Sequence, residues 1–157
     1  MGIFGSNPLG PGEKAPDLAA KNQDGAEIRL LDFAGKSNIV LFFYPRDNTP
    51  VCTQEACLFR DSYDGIQAAD AVVLGISNDP ESSHADFRAR HQMPFDLLTD
   101  PNGEWRKAFR VSTTLGVIPG RVTFVIDKEG TIRHVTNNQL SAQRHVDEAL
   151  EALRNLH

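Results

Sequence analysis

The apolar residues of this chain fall into two kinds of pattern, unbroken runs and helical spacings. Residues 38–44 read NIVLFFY, a continuous β-branched and aromatic run of the kind that a strand buried on both faces of a sheet requires. Residues 71–77, AVVLGIS, predict a second such strand. Residues 121–127 (RVTFVID) and 131–136 predict two more, joined by Lys128-Glu129-Gly130 as a tight hairpin connection. Helical signals fall between and after these runs. Pro45 ends the first strand, Thr49-Pro50 is typical of a helix entrance, and a helix is expected over residues 51–69. Asp79-Pro80 reads as the N-cap and first position of another, ending near His91. In residues 141–156, Val146, Ala149, Leu150 and Leu153 share one face, which predicts an amphipathic closing helix. Weaker signals give a short edge strand over 94–99, a short helix over 102–109 and a loop over 112–120. The first 25 residues, punctuated by Pro and Gly, predict an extended arm used for packing, with a short hairpin around Asp24-Gly25.

Strand and helix alternate first, and a hairpin and a final helix follow. That order predicts an α/β fold with a mixed central sheet and helices on both faces, and it resembles the order of a thioredoxin-like fold. At 157 residues the chain suits one domain spanning 1–157, large enough to bury about two-thirds of its unfolded surface. There is no internal repeat and no low-complexity segment. The 40% hydrophobic and 24% charged fractions are those of an ordinary soluble protein, and no apolar run approaches the roughly 20 residues needed to span a bilayer. The net charge of -5, with sixteen scattered basic residues, argues against nucleic acid as a partner. The N-terminus, MGIFGSNPLGPGEKAP, lacks a basic segment followed by an apolar stretch. The expectation is a cytoplasmic protein or the mature form of an organellar one.

Two cysteines, five positions apart, are too few for a disulfide scaffold, so chemistry is the expected use. The buried strand delivers Cys52 to the first turn of the following helix, where free backbone N–H groups and the positive end of the helix dipole stabilise a thiolate. A thiolate is the form that attacks peroxide oxygen. Thr49, three residues earlier, can place its hydroxyl beside the sulfur, and Pro45 shields the loop from water. The permanent cation that such a site needs is best supplied by Arg121, just after Pro119-Gly120, because arginine stays charged and offers several donors at once. Residues five apart in an intact helix have Cα atoms roughly 8 to 9 Å apart, and a disulfide needs less than about 7 Å. If Cys57 condenses with an oxidised Cys52, the helix between them must unwind. Glu55 and Arg60 read either as a polar lid on the pocket or as a solvated helix face. The five histidines show no metal-ligand spacing and read as surface residues, with no metal or cofactor expected. Trp105 and the phenylalanines are expected in the core.

These residues resemble a known family. Pro45, Thr49 and Cys52 match the Pro-x-x-x-Thr-x-x-Cys signature of the peroxiredoxins, and the cysteine five residues on resembles the bacterioferritin comigratory protein and peroxiredoxin Q branch. The likeness runs from Ala15-Pro16-Asp17 through SHADF (83–87), PFDLLTD (94–100) and PGRVTFVID (119–127) to the closing helix, and PGR with NNQ (137–139) resembles the plant and cyanobacterial members. It implies a thioredoxin-like fold and a thiol peroxidase acting on hydrogen peroxide and organic hydroperoxides. It also implies a peroxidatic Cys52, a resolving Cys57, Thr49 and Arg121 as activating residues, thioredoxin or a similar dithiol as reductant, and a monomer. Val51 stands where that branch usually has glycine, which bears on the width of the pocket.

Two other readings use the same cysteines. A thiol-disulfide oxidoreductase would share the fold but normally carries Cys-x-x-Cys, whereas four residues separate the cysteines here. A redox sensor or holdase would need slow oxidation and a stored disulfide, not turnover with a reductant.

Overall fold

In the computed structural model, residues 8–111, 113–114 and 118–156 are described, with side chains described outside 112–119. The elements in chain order are β1 (Ala19–Lys21), β2 (Glu27–Arg29), a 3-10 turn (Leu30–Phe33), β3 (Asn38–Phe43), α1 (Pro50–Asp61), α2 (Tyr63–Ala68), β4 (Ala71–Ser77), α3 (Glu81–Arg90), β5 (Asp96–Thr99), α4 (Glu104–Ala108), β6 (Thr113–Thr114), β7 (Ile118–Pro119), β8 (Val122–Ile126), β9 (Ile132–Asn137) and α5 (Ala142–Arg154). Seven strands form one mixed sheet in the order β2-β1-β5-β4-β3-β8-β9. At its centre β3 pairs parallel with β4 and antiparallel with β8.

The alternation of side chains along β3 builds two cores at once. Val40 and Phe42, with Tyr44 just beyond the strand, join Cys52, Phe59, Phe87 and Val146, so α1, α3 and α5 lie over that face. Ile39, Leu41 and Phe43 face the other way and meet Trp105, Phe109 and Phe124, under α4. All six residues of β3 are buried, and each large side chain so buried contributes roughly 1.5–3 kcal/mol. Of the arm expected over the first 25 residues, residues 1–7 lie outside the described residues. Leu9 is buried against the second core, and the hairpin turns where Asn22 Oδ1 accepts from the backbone of Asp24 and Ala26, with Gly25 at φ 80°.

Several expectations need correction. The helix expected over 51–69 is two helices that break at Ser62, whose N–H is shared between the carbonyls of Leu58 and Phe59. This break tips α2 so that Ile66 reaches the core. Asp79 does not cap α3, because Pro80 holds that position. The Asp79 carboxylate instead accepts from Asp47 N at 2.8 Å and Ser77 Oγ at 2.7 Å. The strand expected at an edge, β5, is interior, since β1 closes over its far side through the Lys21–Thr99 pair. Within the loop expected over 112–120, β6 and β7 pair antiparallel, while Ser112 and residues 115–117 lie outside the described residues. The hairpin at 128–130 forms as expected, with Asp127 Oδ1 accepting from Glu129 N and Thr131 N.

The sheet is tightest at Gly75, between Phe42 and Leu97 on its two neighbours. A Cβ there would lie 2.7 Å from Phe42 Cζ and 2.9 Å from Leu97 Cδ2. Gly75→Ala is therefore expected to destabilise the fold by about 1–3 kcal/mol through overpacking. A denaturant midpoint equal to that of the unsubstituted protein would contradict this.

Candidate active site

The site lies where β3 and β8 part. Past the pair Phe43–Val122, one chain leaves through Pro45 towards α1 and the other begins with Arg121. Thr49 is the N-cap residue of α1, with extended backbone, and Pro50 opens the helix. Cys52 therefore sits in the first turn, where backbone N–H groups have no helical partner.

Cys52 is 1% exposed, and Arg121 Nη2 donates to its Sγ at 3.2 Å. Arg121 is itself 3% exposed, its guanidinium held by two further contacts and its backbone by a third. Its Nη1 donates to Glu55 Oε1 at 2.7 Å, its Nε to the Gln139 carbonyl at 3.1 Å, and its backbone N to Gln139 Oε1 at 3.0 Å. A buried cation needs such partners, because taking a charge out of water costs several kcal/mol. Cys52 and Arg121 are thus brought together as the sequence reading expected. The Thr49 hydroxyl donates to the Arg46 carbonyl at 2.8 Å, and Pro45 is half-buried at the strand end. Cys57 is half-buried, and both cysteines are free thiols with α1 intact between them.

Glu55 is neither a lid nor a solvated residue. It is fully buried, one turn after Cys52 on the same helix face, and that spacing of three was the sequence signal for it. Burial pushes its carboxyl up to about 7, against the pull of Arg121. Its Oε2 has no hydrogen bond among the described residues and lies 3.5 Å from His145 Nδ1. His145 Nε2 faces the Asn138 carbonyl at 2.7 Å and must donate to it, so in the neutral ring Nδ1 accepts from the Thr123 hydroxyl at 2.7 Å. Burial holds this ring neutral by lowering it to about 4. Arg60, by contrast, is partly exposed and bonds Asp61 and the His91 carbonyl.

The surface reading of the histidines fails for two of them, since His84 and His145 are wholly buried. His84 anchors the loop that leads to Cys52. Its Nδ1 meets Asp47 Oδ2 at 2.7 Å, and its Nε2 meets the Leu98 carbonyl at 2.9 Å. Tyr44 and Ser83 also donate to that carboxylate. Asp47, Asp79 and His84 bring ligand-type atoms within 4.8 Å of one another, and both ring nitrogens of His84 are engaged within the protein, with Asp47 and with the Leu98 carbonyl. Linear spacing gave no hint of this cluster, which joins the loops after β3 and β4 to α3.

Comparison with known proteins supplies the remaining context. A profile of the AhpC/TSA family matches residues 11–135. Peroxiredoxin Q, chloroplastic, from Populus jackii is 44% identical over 146 residues, which are 92% of this chain and 68% of that protein. The protein of the same name from Suaeda salsa gives the same figures. Among solved structures, peroxidoxin BcpB from Mycobacterium tuberculosis superposes with a TM-score of 0.89 at 34% identity, over 95% of this chain and 99% of that one. Peroxiredoxin Q from Xanthomonas campestris superposes at 0.81 with 30% identity, covering 87% of this chain and 89% of that one. No helix among the described residues is long and apolar enough to cross a membrane. With a cysteine at a helix start, an arginine on its sulfur and relatives of this closeness, the chain belongs to the AhpC/TSA family, within its peroxiredoxin Q branch of thiol-dependent peroxidases.

Proposed function

We propose that Cys52 is the peroxidatic residue and that the observation carrying this role is the Arg121 guanidinium 3.2 Å from its sulfur. The Cys52 thiolate attacks the terminal oxygen of a hydroperoxide, the O–O bond breaks, and water or an alcohol leaves. Cys52 is left as a sulfenic acid. Arg121 favours this step by stabilising the thiolate and the negative charge that gathers on the leaving oxygen. Thr49 and Pro45 shape the approach, with the Thr49 hydroxyl free to turn from Arg46 to an incoming peroxide. Cys57 then attacks the sulfenic sulfur, an S–S bond forms and water is released. Thioredoxin or a similar dithiol protein reduces the disulfide. Because the resolving cysteine lies in the same chain, the cycle needs no partner subunit, and we read the working form as a monomer of the cytoplasm or an organelle interior.

The resolving step requires movement. Glu55 lies between the two cysteines and is tied to Arg121, so unwinding of α1 must pull its carboxylate out of the core. Oxidation therefore exchanges a buried ion pair for a covalent bond.

NADPH-coupled turnover of hydrogen peroxide with thioredoxin and its reductase tests the scheme. The wild type is expected to turn over, Cys52→Ser to be inactive, and Cys57→Ser to be oxidised once without recycling. A slowly oxidised wild type that stores its disulfide and never turns over would favour the sensor or holdase reading. Amide exchange tests the movement: protection over residues 50–61 of α1 is expected to fall on oxidation. Equal protection in both redox states would rule unwinding out.

A further inference from the structure

Arg106 is a buried cation that the scheme above leaves unused. It lies on α4, remote in sequence from both Cys52 and Arg121, and is 7% exposed. Among the described residues its head forms no ion pair. Its Nη1 donates to the Gly120 carbonyl at 3.0 Å and its Nη2 to the Tyr44 carbonyl at 3.3 Å, while Cζ sits 5.6 Å from the centroid of the Phe43 ring. Burial lowers this guanidinium to about 10, which still leaves it charged at neutral pH. The helix that carries it is fixed in turn by Asp100, whose carboxylate accepts from Trp105 N and Arg106 N, both at 3.1 Å.

The two carbonyls are what make the placement informative. Tyr44 precedes Pro45 and Gly120 precedes Arg121, so each belongs to the peptide that leads directly into a site residue. The β3–β8 ladder ends at Phe43–Val122, and beyond that pair the two chains separate with no ladder to hold them. Arg106 spans the gap, one arm on each chain. Arginine can do this because its guanidinium is planar and presents two donors side by side, whereas a lysine ammonium is a single point charge.

We propose that Arg106 is a positioning residue for the peroxidase reaction, clamping the Tyr44 and Gly120 carbonyls so that Arg121 and Cys52 meet at the distance observed. This rests on the reading of Cys52 as the peroxide-attacking thiol and Arg121 as its cation. Without the clamp, the loop to α1 and the start of β8 drift apart, and the guanidinium no longer meets both the sulfur and the peroxide. The sulfur itself stays on α1 and stays reactive towards reagents that need no cation.

The test compares Arg106→Lys and Arg106→Met with the parent, all carrying Cys57→Ser so that Cys52 is the single thiol. Two rate constants are measured for each, oxidation of Cys52 by hydrogen peroxide and its alkylation by iodoacetamide at a pH where the thiol is fully ionised. Leu153→Ala, in the core at the far end of α5, serves as a control for general loosening. Both Arg106 variants are expected to lose at least about tenfold in the peroxide rate, with no fall in alkylation and with the control unaffected. If Arg106→Met fails to fold, Arg106→Lys decides alone. The proposal is overturned by a peroxide rate within a factor of two or so of the parent, or by a loss matched in Leu153→Ala. If the parent itself is not oxidised by peroxide, the peroxidase reading fails first and takes this proposal with it, a result distinct from an active parent with unaffected variants.

Discussion

A guanidinium buried against a thiol is the constraint around which the rest of this structure is arranged. Neither group is at ease there, since the cation loses its hydration and the sulfur is sealed from solvent by its own core. The arrangement is tenable because Arg121 hands its donors to Glu55, to Gln139 and to Cys52 together, and because α1 begins where it does. Pro50 and the extended Thr49 start the helix three residues before the sulfur comes into line. A helix begun one turn earlier or later would carry Cys52 away from the guanidinium and off the dipole that helps to hold a thiolate.

The same contacts create a conflict that bears on dynamics. Glu55 makes the site rigid, but it occupies the helical turn that must open for the two cysteines to join. Its burial is imperfectly compensated: the carboxyl sits at about 7, and one oxygen makes no hydrogen bond among the described residues, with His145 Nδ1 3.5 Å away. A fully satisfied pair would resist unwinding more strongly. A hydrophobic residue there would leave Arg121 unpaired in the core. The structure lies between these extremes, with a site firm enough to hold sulfur and cation in register and a helix that, in the proposed cycle, gives up one incompletely satisfied buried contact.

What was legible in the sequence follows physical range. β3, β4, β8 and α5 depend on local periodicity and came out close to their observed bounds. So did the start of α1, because proline and threonine act within a single turn. The interior place of β5 was hidden, since it depends on a hairpin more than 70 residues earlier closing over it through Lys21 and Thr99. The burial of His84 was hidden for a similar reason: Asp47 and the Leu98 carbonyl reach it from either side in sequence. Glu55 was half legible. It read either as a polar lid or as a solvated face; the spacing of three from Cys52 is a signal that reading did not use, and only the fold, by placing Arg121 opposite, turns that face inward.

The measurement that bears most directly on this account is the rate constant for oxidation of Cys52 by hydrogen peroxide in Arg121→Gln. Glu55→Gln accompanies it so that no buried carboxylate is left without its partner, and Glu55→Gln alone is the reference. With Cys57→Ser throughout, the account predicts a fall of about a hundredfold or more on loss of the guanidinium, while alkylation of the ionised thiol persists. A doubly substituted protein that reacts with peroxide as fast as its reference would contradict the central claim, because it would mean that the helix start alone is enough to activate the sulfur.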